Sequence, residues 1–226
     1  MSERLKPGLR EIFPNLFLVQ ARVEKVAGPS FLLRREQGNI LIPAYNKVLI
    51  DGRLKQIERL GGVSAIYVNG KHNAKIPNFP SALTERYRPP IYISEVDAKT
   101  YRARKLPNSR PLKFKRQMVA KDLEAIPFPG YSKGGMAYLW SNGGKRYLFG
   151  GITITRIDGE WRTWLSAAVT PRAFKAALKE LGETACDVLL LNSFANTEEP
   201  WFSFKPAQWK ALFDELIANP KPGKHG

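Results

Sequence analysis

The sequence is poor in the side chains that most often bind transition metals. It has one cysteine, Cys186, and two histidines, His72 and His225, among 226 residues. A single cysteine excludes an intrachain disulfide and a four-thiolate metal site. Cys186 precedes an apolar segment, so we expect a buried packing residue rather than a nucleophile. The cysteine count fits a reducing compartment.

Long apolar segments are also absent. The first 15 residues carry charges at Glu3, Arg4 and Lys6, where a secretory signal would need an unbroken apolar stretch. The longest apolar runs are far shorter than the roughly 20 residues that cross a bilayer. We therefore expect no transmembrane segment and a cytoplasmic protein.

Acidic residues are few relative to basic ones. The chain has 36 Lys+Arg against 20 Asp+Glu, a formal net charge of +16. Such a surface attracts polyanions through long-range electrostatics, so the expected partners are an anionic small molecule, an acidic macromolecule or nucleic acid. A basic surface that serves only solubility is the open alternative. The composition does not determine the oligomeric state.

Length and composition predict a single domain. With 43% hydrophobic residues, residues 1–226 can bury one large core. Residues 1–15 are predicted to be a flexible lead-in, and residues 220–226 a flexible tail. The basic, proline-containing segment 102–116 is predicted to be an exposed connection between two halves.

Strands and helices alternate in both halves. The clearest strand predictions cover residues 16–23, 30–34, 39–44, 65–68, 123–127, 136–140, 145–149 and 188–191. The clearest helix predictions cover residues 54–60, 79–87, 94–102, 170–182 and 206–218. Strand-rich halves that each carry helices favour an α+β fold, a four-layer αββα sandwich with two stacked sheets inside.

Five successive segments resemble, in order and spacing, the motifs of metallo-β-lactamase-fold hydrolases. They lie within residues 30–154 and read SFLLRREQGNILI, LKQIERLGGVSAIYVNGKHNAKIP, PIYISEVDAKTY, IPFPGYSKGGMAYLW and KRYLFGGITI. The resemblance implies the αββα sandwich. In that family a loop of the form Thr-His-x-His-x-Asp-His supplies zinc ligands.

The corresponding loop, residues 69–75, reads Asn-Gly-Lys-His-Asn-Ala-Lys. The resemblance leaves His72 as the retained ligand, because Gly70 and Lys75 stand where histidines are expected and Ala74 where an aspartate is expected. The chain is therefore similar to a degenerate member of the superfamily that lacks most metal ligands.

The family's other ligand motifs are also altered. Its Gly-His-Thr/Ser-x-Gly turn resembles residues 130–134, with Tyr131 in place of the histidine. Its Gly-Asp-Thr segment resembles residues 151–153, and its last ligand loop falls at residues 192–194; neither supplies an ionisable donor. A catalytic zinc needs about three protein ligands and an open position for water. We therefore expect no metal, no other cofactor and no zinc-dependent catalysis.

The leading hypothesis is a catalytically inactive, hydrolase-like pseudoenzyme whose former active-site cleft binds an anionic ligand or partner. Fixed lysine charges would take the place of metal charge. The candidate ligand-binding residues are Lys71, His72, Asn73, Lys75, Tyr131 and Ser132. The ordinary alternative is a set of solvated lysines beside an unremarkable histidine.

Two other functions stay open. One is an atypical hydrolase of the same superfamily with a single-metal or metal-free site at His72. The other is a basic nucleic-acid-associated protein that uses segment 102–116, where Phe114 stands between two lysines. The candidate nucleic-acid-binding residues are Arg102, Arg104, Lys105, Arg110, Lys113, Lys115 and Arg116.

Overall fold

A computed structural model of the chain describes residues 8–20, 29–43, 53–71, 81–101, 108–192 and 199–220. Seven strands of this part form a first sheet, hydrogen-bonded in chain order. They are β1 (Gly8–Phe13), β2 (Leu16–Gln20), β3 (Ser30–Leu33), β4 (Ile40–Ile42), β5 (Ala65–Tyr67), β6 (Ile91–Ser94) and β7 (Ser109–Leu112). The pairs from β1 to β4 are antiparallel, and the pairs from β4 to β7 are parallel.

Three short helices lie between the later strands and cover the outer face of this sheet. They are α1 (Leu54–Arg59), α2 (Ser81–Tyr87) and α3 (Glu95–Tyr101). Ile57 and Leu83 are buried against the outward-facing side chains of β3 to β6. Because β4, β5 and β6 are parallel, their carboxyl ends meet at one edge of the sheet.

The second sheet has six strands in the described part, in the order β15-β14-β11-β10-β9-β8. These are β8 (Gln117–Ala120), β9 (Leu123–Pro127), β10 (Met136–Asn142), β11 (Lys145–Phe149), β14 (Val188–Leu190) and β15 (Trp201–Ser203). A separate hairpin consists of β12 (Ile154–Ile157) and β13 (Glu160–Thr163). Helices α4 (Pro171–Glu183) and α5 (Pro206–Ala218) pack on the outer face, where the Trp209 indole Nε1 donates to the Leu181 carbonyl at 3.0 Å.

The central core lies between the two sheets. Phe31 and Ile42 of the first sheet pack there with Tyr138, Trp140 and Phe149 of the second. Separate clusters join each sheet to its own helices. The order of layers is helix, sheet, sheet, helix, which confirms the predicted αββα sandwich.

A partly buried ion pair joins the two sheets at the end opposite the carboxyl end of β5. The Arg35 guanidinium, which follows β3 and is 7% exposed, contacts Asp122, which precedes β9. Its Nε lies 2.8 Å from Asp122 Oδ2, and its Nη2 donates to Oδ1. Trp140 Nε1 donates to Asp122 Oδ2 at 2.9 Å. Burial alone would raise the pKa of Asp122, but the hydrogen bonds from Arg35 and Trp140 and the Arg35 charge hold it below its usual range.

One prediction about the terminal and connecting segments is wrong, and one is incomplete: residues 8–13 of the predicted flexible lead-in form a strand, whereas the described part of segment 102–116 does lie between the two sheets along the chain and is largely exposed but also contains a strand. The predicted lead-in contains β1, which pairs with β2. The predicted connection 102–116 contains β7, which pairs with β6 and is exposed at three of its four residues. Both are edge strands, whose exposed polar side chains give no apolar pattern in the sequence. Residues 221–226 of the predicted tail lie outside the described residues.

None of the helices in the described part is long and apolar enough to span a membrane.

Candidate functional site

Four segments converge beyond the carboxyl end of β5, and we call them the candidate site: residues 69–71, 130–134, 151–153 and Asn192. Asn69 connects the first segment to the second sheet. Its side-chain Nδ2 donates to the carbonyls of Met136 at 2.9 Å and Phe149 at 3.1 Å. Its own carbonyl accepts from the Met136 N–H at 2.7 Å. These bonds fix the end of β5 against β10 and β11.

The carboxylate of Asp97 holds two of these segments together. Asp97 lies in the first turn of α3 and is 2% exposed. Its Oδ2 accepts from the backbone N–H of Lys71 at 2.8 Å and from the Ser132 hydroxyl at 2.7 Å. Its Oδ1 accepts from the Gly134 N–H at 3.1 Å. We call this set of bonds the Asp97 network.

In the sequence, Ser94 and Asp97 have the spacing of a helix capping box, which relates Asp97 to the start of α3 and to nothing more distant. The Asp97 N–H does donate to the Ser94 hydroxyl at 3.2 Å, which is one half of a capping box. The carboxylate bonds instead to the loops of the candidate site. The spacing from Ser94 to Asp97 gives no signal for this longer-range role.

Close packing leaves no room for larger side chains at two glycines of the candidate site. A Cβ atom at Gly70 would lie 2.7 Å from Ser132 Oγ, closer than real Cβ contacts. Gly151 has a positive φ of 65°, and a Cβ there would lie 2.8 Å from the Asn69 Cβ. Gly70 is the position at which the family resemblance expects a histidine. In this arrangement the Ser132 side chain occupies that space.

The remaining segments join through main-chain contacts. The Asn192 N–H donates to the Gly151 carbonyl at 3.1 Å, and the Tyr131 N–H approaches Thr153 Oγ1 at 3.4 Å. The Tyr131 ring packs edge-on against Trp164 with 6.4 Å between centroids. The segments that resemble the family's separate ligand motifs therefore lie together in space.

The described residues of the candidate site do not fit a zinc ion. No three His, Cys, Asp or Glu side chains converge within the described ranges. Both oxygens of Asp97 already accept hydrogen bonds from N–H and O–H donors. A catalytic zinc needs about three such ligands and an open position. No catalytic step can be derived through a metal from this donor set.

The predicted ligand-binding residues divide into three kinds. His72, Asn73 and Lys75 lie outside the described residues. Lys71 and Tyr131 are partly exposed. Ser132 is 3% exposed, and its hydroxyl donates to Asp97. Ser132 therefore holds the loop between β9 and β10 in place, and its hydroxyl proton is donated to the Asp97 carboxylate rather than to a ligand.

Two buried amide oxygens lie at the base of the candidate site. Asn69 Oδ1 and Asn192 Oδ1 have no hydrogen-bond partner within the described part. The Asn192 Nδ2 donates to the Pro29 carbonyl at 3.1 Å, so its amide is held in place. An unpaired buried acceptor costs about 1–3 kcal/mol. A buried water molecule would satisfy either oxygen.

The predicted nucleic-acid-binding residues do not form a row of unpaired cations. Arg116 binds Glu124 in a two-point contact, with Nε–Oε1 at 2.6 Å and Nη2–Oε2 at 3.1 Å. Lys113 lies 3.6 Å from Glu95. Arg110 and Lys115 are exposed. The other three lie outside the described residues: Arg102, Arg104 and Lys105.

Cys186 is buried, as the sequence predicts. Burial raises the pKa of its thiol to about 12. The thiol is therefore protonated at neutral pH, which is the unreactive form of a cysteine.

Comparison with known proteins identifies the fold. No family model and no curated protein matches the sequence. Among solved structures, a metallo-β-lactamase from Pontibacter korlensis is similar, with a TM-score of 0.69 and 15% identity over 93% of this chain and 98% of the other. A B3 metallo-β-lactamase with an active-site glutamic acid has a TM-score of 0.65 and 17% identity, over 94% of this chain and 89% of the other. An archaeal metallo-β-lactamase superfamily protein from Sulfolobus tokodaii has a TM-score of 0.65 and 11% identity, over 94% of this chain and 90% of the other. The chain therefore has the metallo-β-lactamase fold.

Proposed function

We propose that this chain is a catalytically inactive protein that binds an anionic ligand at the candidate site. The observation that carries the proposal is the Asp97 network. At a place where the fold's hydrolases arrange metal ligands, this chain has a buried carboxylate that accepts three hydrogen bonds from protein groups. The resulting loop structure is held by the protein alone and needs no metal ion.

Basic side chains support the anionic character of the ligand. Lys71 and Lys133 lie on two different segments of the candidate site, and Lys133 is exposed. Neither lysine forms an ion pair with an acid in the described part of the chain. The buried carboxylate of Asp97 contributes one negative charge to the site, and the two lysine charges outnumber it. A small anion such as phosphate or pyrophosphate would gain from both ammonium groups.

Metal content and anion affinity together test this proposal. Elemental analysis of the protein, as purified and after incubation with zinc, should give a metal ratio near zero per chain. Calorimetric titration with inorganic pyrophosphate should show binding that weakens about five-fold in Lys133→Gln, on the order of 1 kcal/mol. Lys55→Gln is the matched control, because Lys55 is an exposed lysine on α1.

Two results would contradict the proposal in different ways. Stoichiometric zinc that disappears in His72→Ala would identify a metal site and support an atypical hydrolase. A metal-free protein with no affinity for pyrophosphate, or with equal affinity in the two lysine variants, would remove the ligand-binding role from the candidate site.

A further inference from the structure

A second surface combines aromatic and cationic side chains along the edge of the second sheet. An open groove of about 770 Å³ follows β15, the hairpin of β12 and β13, and the start of α5. We call it the β15 groove. Its walls include Arg156, Trp161, Trp201, Phe202, Phe204 and Glu199.

Three aromatic rings of the groove, those of Trp161, Phe202 and Phe204, form one connected group that is only partly buried. Trp161 meets Phe202 with 4.8 Å between centroids and an interplanar angle of 70°, and it lies 6.1 Å from Phe204. Phe204 in turn packs against the buried Trp209 at 5.5 Å. The core therefore fixes the positions of the rings, while part of each of Trp161, Phe202 and Phe204 reaches solvent.

A guanidinium group is held over these rings. Arg156 Cζ lies 5.0 Å from the centroid of Phe202 and 5.5 Å from that of Trp161. Its Nε donates to the Gly159 carbonyl at 3.0 Å, which fixes the side chain. A second arginine lies beside the groove: Arg10 on β1 has its Cζ 5.4 Å from the ring centroid of Trp201, whose ring packs against Phe13 on the side that faces the first sheet. Neither arginine forms an ion pair with an acid in the described residues.

We propose that the β15 groove binds single-stranded nucleic acid. Protein sites that bind single-stranded nucleic acid combine aromatic side chains, on which bases stack, with cationic side chains that contact the phosphates. The groove supplies both, and the chain's net charge of +16 favours a polyanion over an acidic peptide, which has no planar bases to stack. A duplex is disfavoured because its bases are already stacked on each other. This inference goes beyond the proposed function of the candidate site and does not depend on it.

Fluorescence anisotropy with a labelled thymidine oligonucleotide of about a dozen nucleotides, within the usual site size, tests the proposal. Phe202→Leu keeps charge and much of the apolar volume but removes the ring, so the affinity should fall at least about five-fold. Arg156→Gln should weaken binding more than the control Lys55→Gln, which removes one positive charge from α1. A duplex of the same length should bind more weakly than the single strand.

Three outcomes would overturn the proposal. The first is equal affinity in Arg156→Gln and Lys55→Gln, and the second is a duplex that binds as tightly as the single strand. In either case net charge alone explains binding. The third is displacement of the oligonucleotide by polyglutamate at equal charge concentration. Thermal melting checks the fold of each variant, and Arg156→Gln decides the test if Phe202→Leu does not fold.

Discussion

The carboxylate of Asp97 bonds to groups that lie 26, 35 and 37 positions away in the sequence. Sequence patterns report local relations such as a helix cap. The spacing of Ser94 and Asp97 therefore indicates the contact between them, but it gives no sign of the hydrogen bonds from the loops of the candidate site. The same limit applies to Ser132, whose place in a Gly-Tyr-Ser-Lys-Gly turn suggested a ligand-facing hydroxyl. Its orientation toward Asp97 depends on how the loop between β9 and β10 lies against the first turn of α3.

Replacing Asp97 with asparagine should destabilise the protein by about 2–4 kcal/mol, because an amide N–H₂ would face N–H and O–H donors in a buried place. Urea unfolding measures this loss. The control is Asp158→Asn, which changes an exposed aspartate in the turn between β12 and β13 and should shift stability by less than about 0.5 kcal/mol. Equal effects of the two substitutions would mean that the Asp97 network does not stabilise the fold.

The contact between Gly70 and Ser132 predicts a coupled pair of substitutions. Gly70→Ala should cost about 1–3 kcal/mol, because its Cβ would overlap Ser132 Oγ. In a Ser132→Ala background the nearest Ser132 atom is the Cβ, at 3.6 Å from that position, so the added cost of Gly70→Ala should fall. A double-mutant cycle by urea unfolding measures the coupling, and additive effects would argue against the clash.

At the scale of the elements, the Arg35–Asp122 pair joins β3 to β9 and so connects the two sheets. Its partners are 87 positions apart, and the sequence gives no sign of the pairing. Because folding lowers the pKa of Asp122, the unfolded chain takes up its proton first as the pH falls. The contribution of this pair is therefore present above the ordinary pKa of an aspartate and is lost as the pH drops through the lowered value.

The variant Asp122→Asn should test that pH dependence. At pH near 6 it should be less stable than the parent by about 1–3 kcal/mol, a value reduced by the partial exposure of Asp122. The difference should shrink as the pH is lowered below about 4, the ordinary range for aspartate. Urea unfolding at several pH values gives the measurement. A difference that stays constant or grows in acid would contradict the assigned role of the Asp122 carboxylate.

Elements with a buried face were predictable, and edge elements were not. β10, β11 and α5 carry apolar residues at strand or helix spacing, and the structure places them where the sequence predicted. β1 and β15 border a sheet on one side only, so partly exposed residues break the alternation. The β15 groove lies beside such an edge, which is why the sequence directed attention to segment 102–116 instead.

At the scale of the whole molecule, the net charge of +16 opposes the compact state through mutual repulsion. Raising sodium chloride to about 0.1 M shortens the screening length to roughly 10 Å, so the melting temperature should rise from its low-salt value. Phosphate at the same ionic strength should raise it further if the candidate site binds anions, since binding to the folded state adds stability. A melting temperature that falls with added chloride would show that attractive ion pairs outweigh the repulsion.

The fit of Gly70 against Ser132 also constrains how this molecule could change over evolutionary time. A histidine cannot enter at position 70 while Ser132 donates to Asp97, and removing Ser132 first deprives the buried carboxylate of a donor. Either single step, at position 70 or at position 132, therefore lowers stability before a complete ligand set exists. Directed evolution from this chain should therefore reach a histidine at position 70 only together with a substitution at position 132, so a metal-binding loop is not one mutation away.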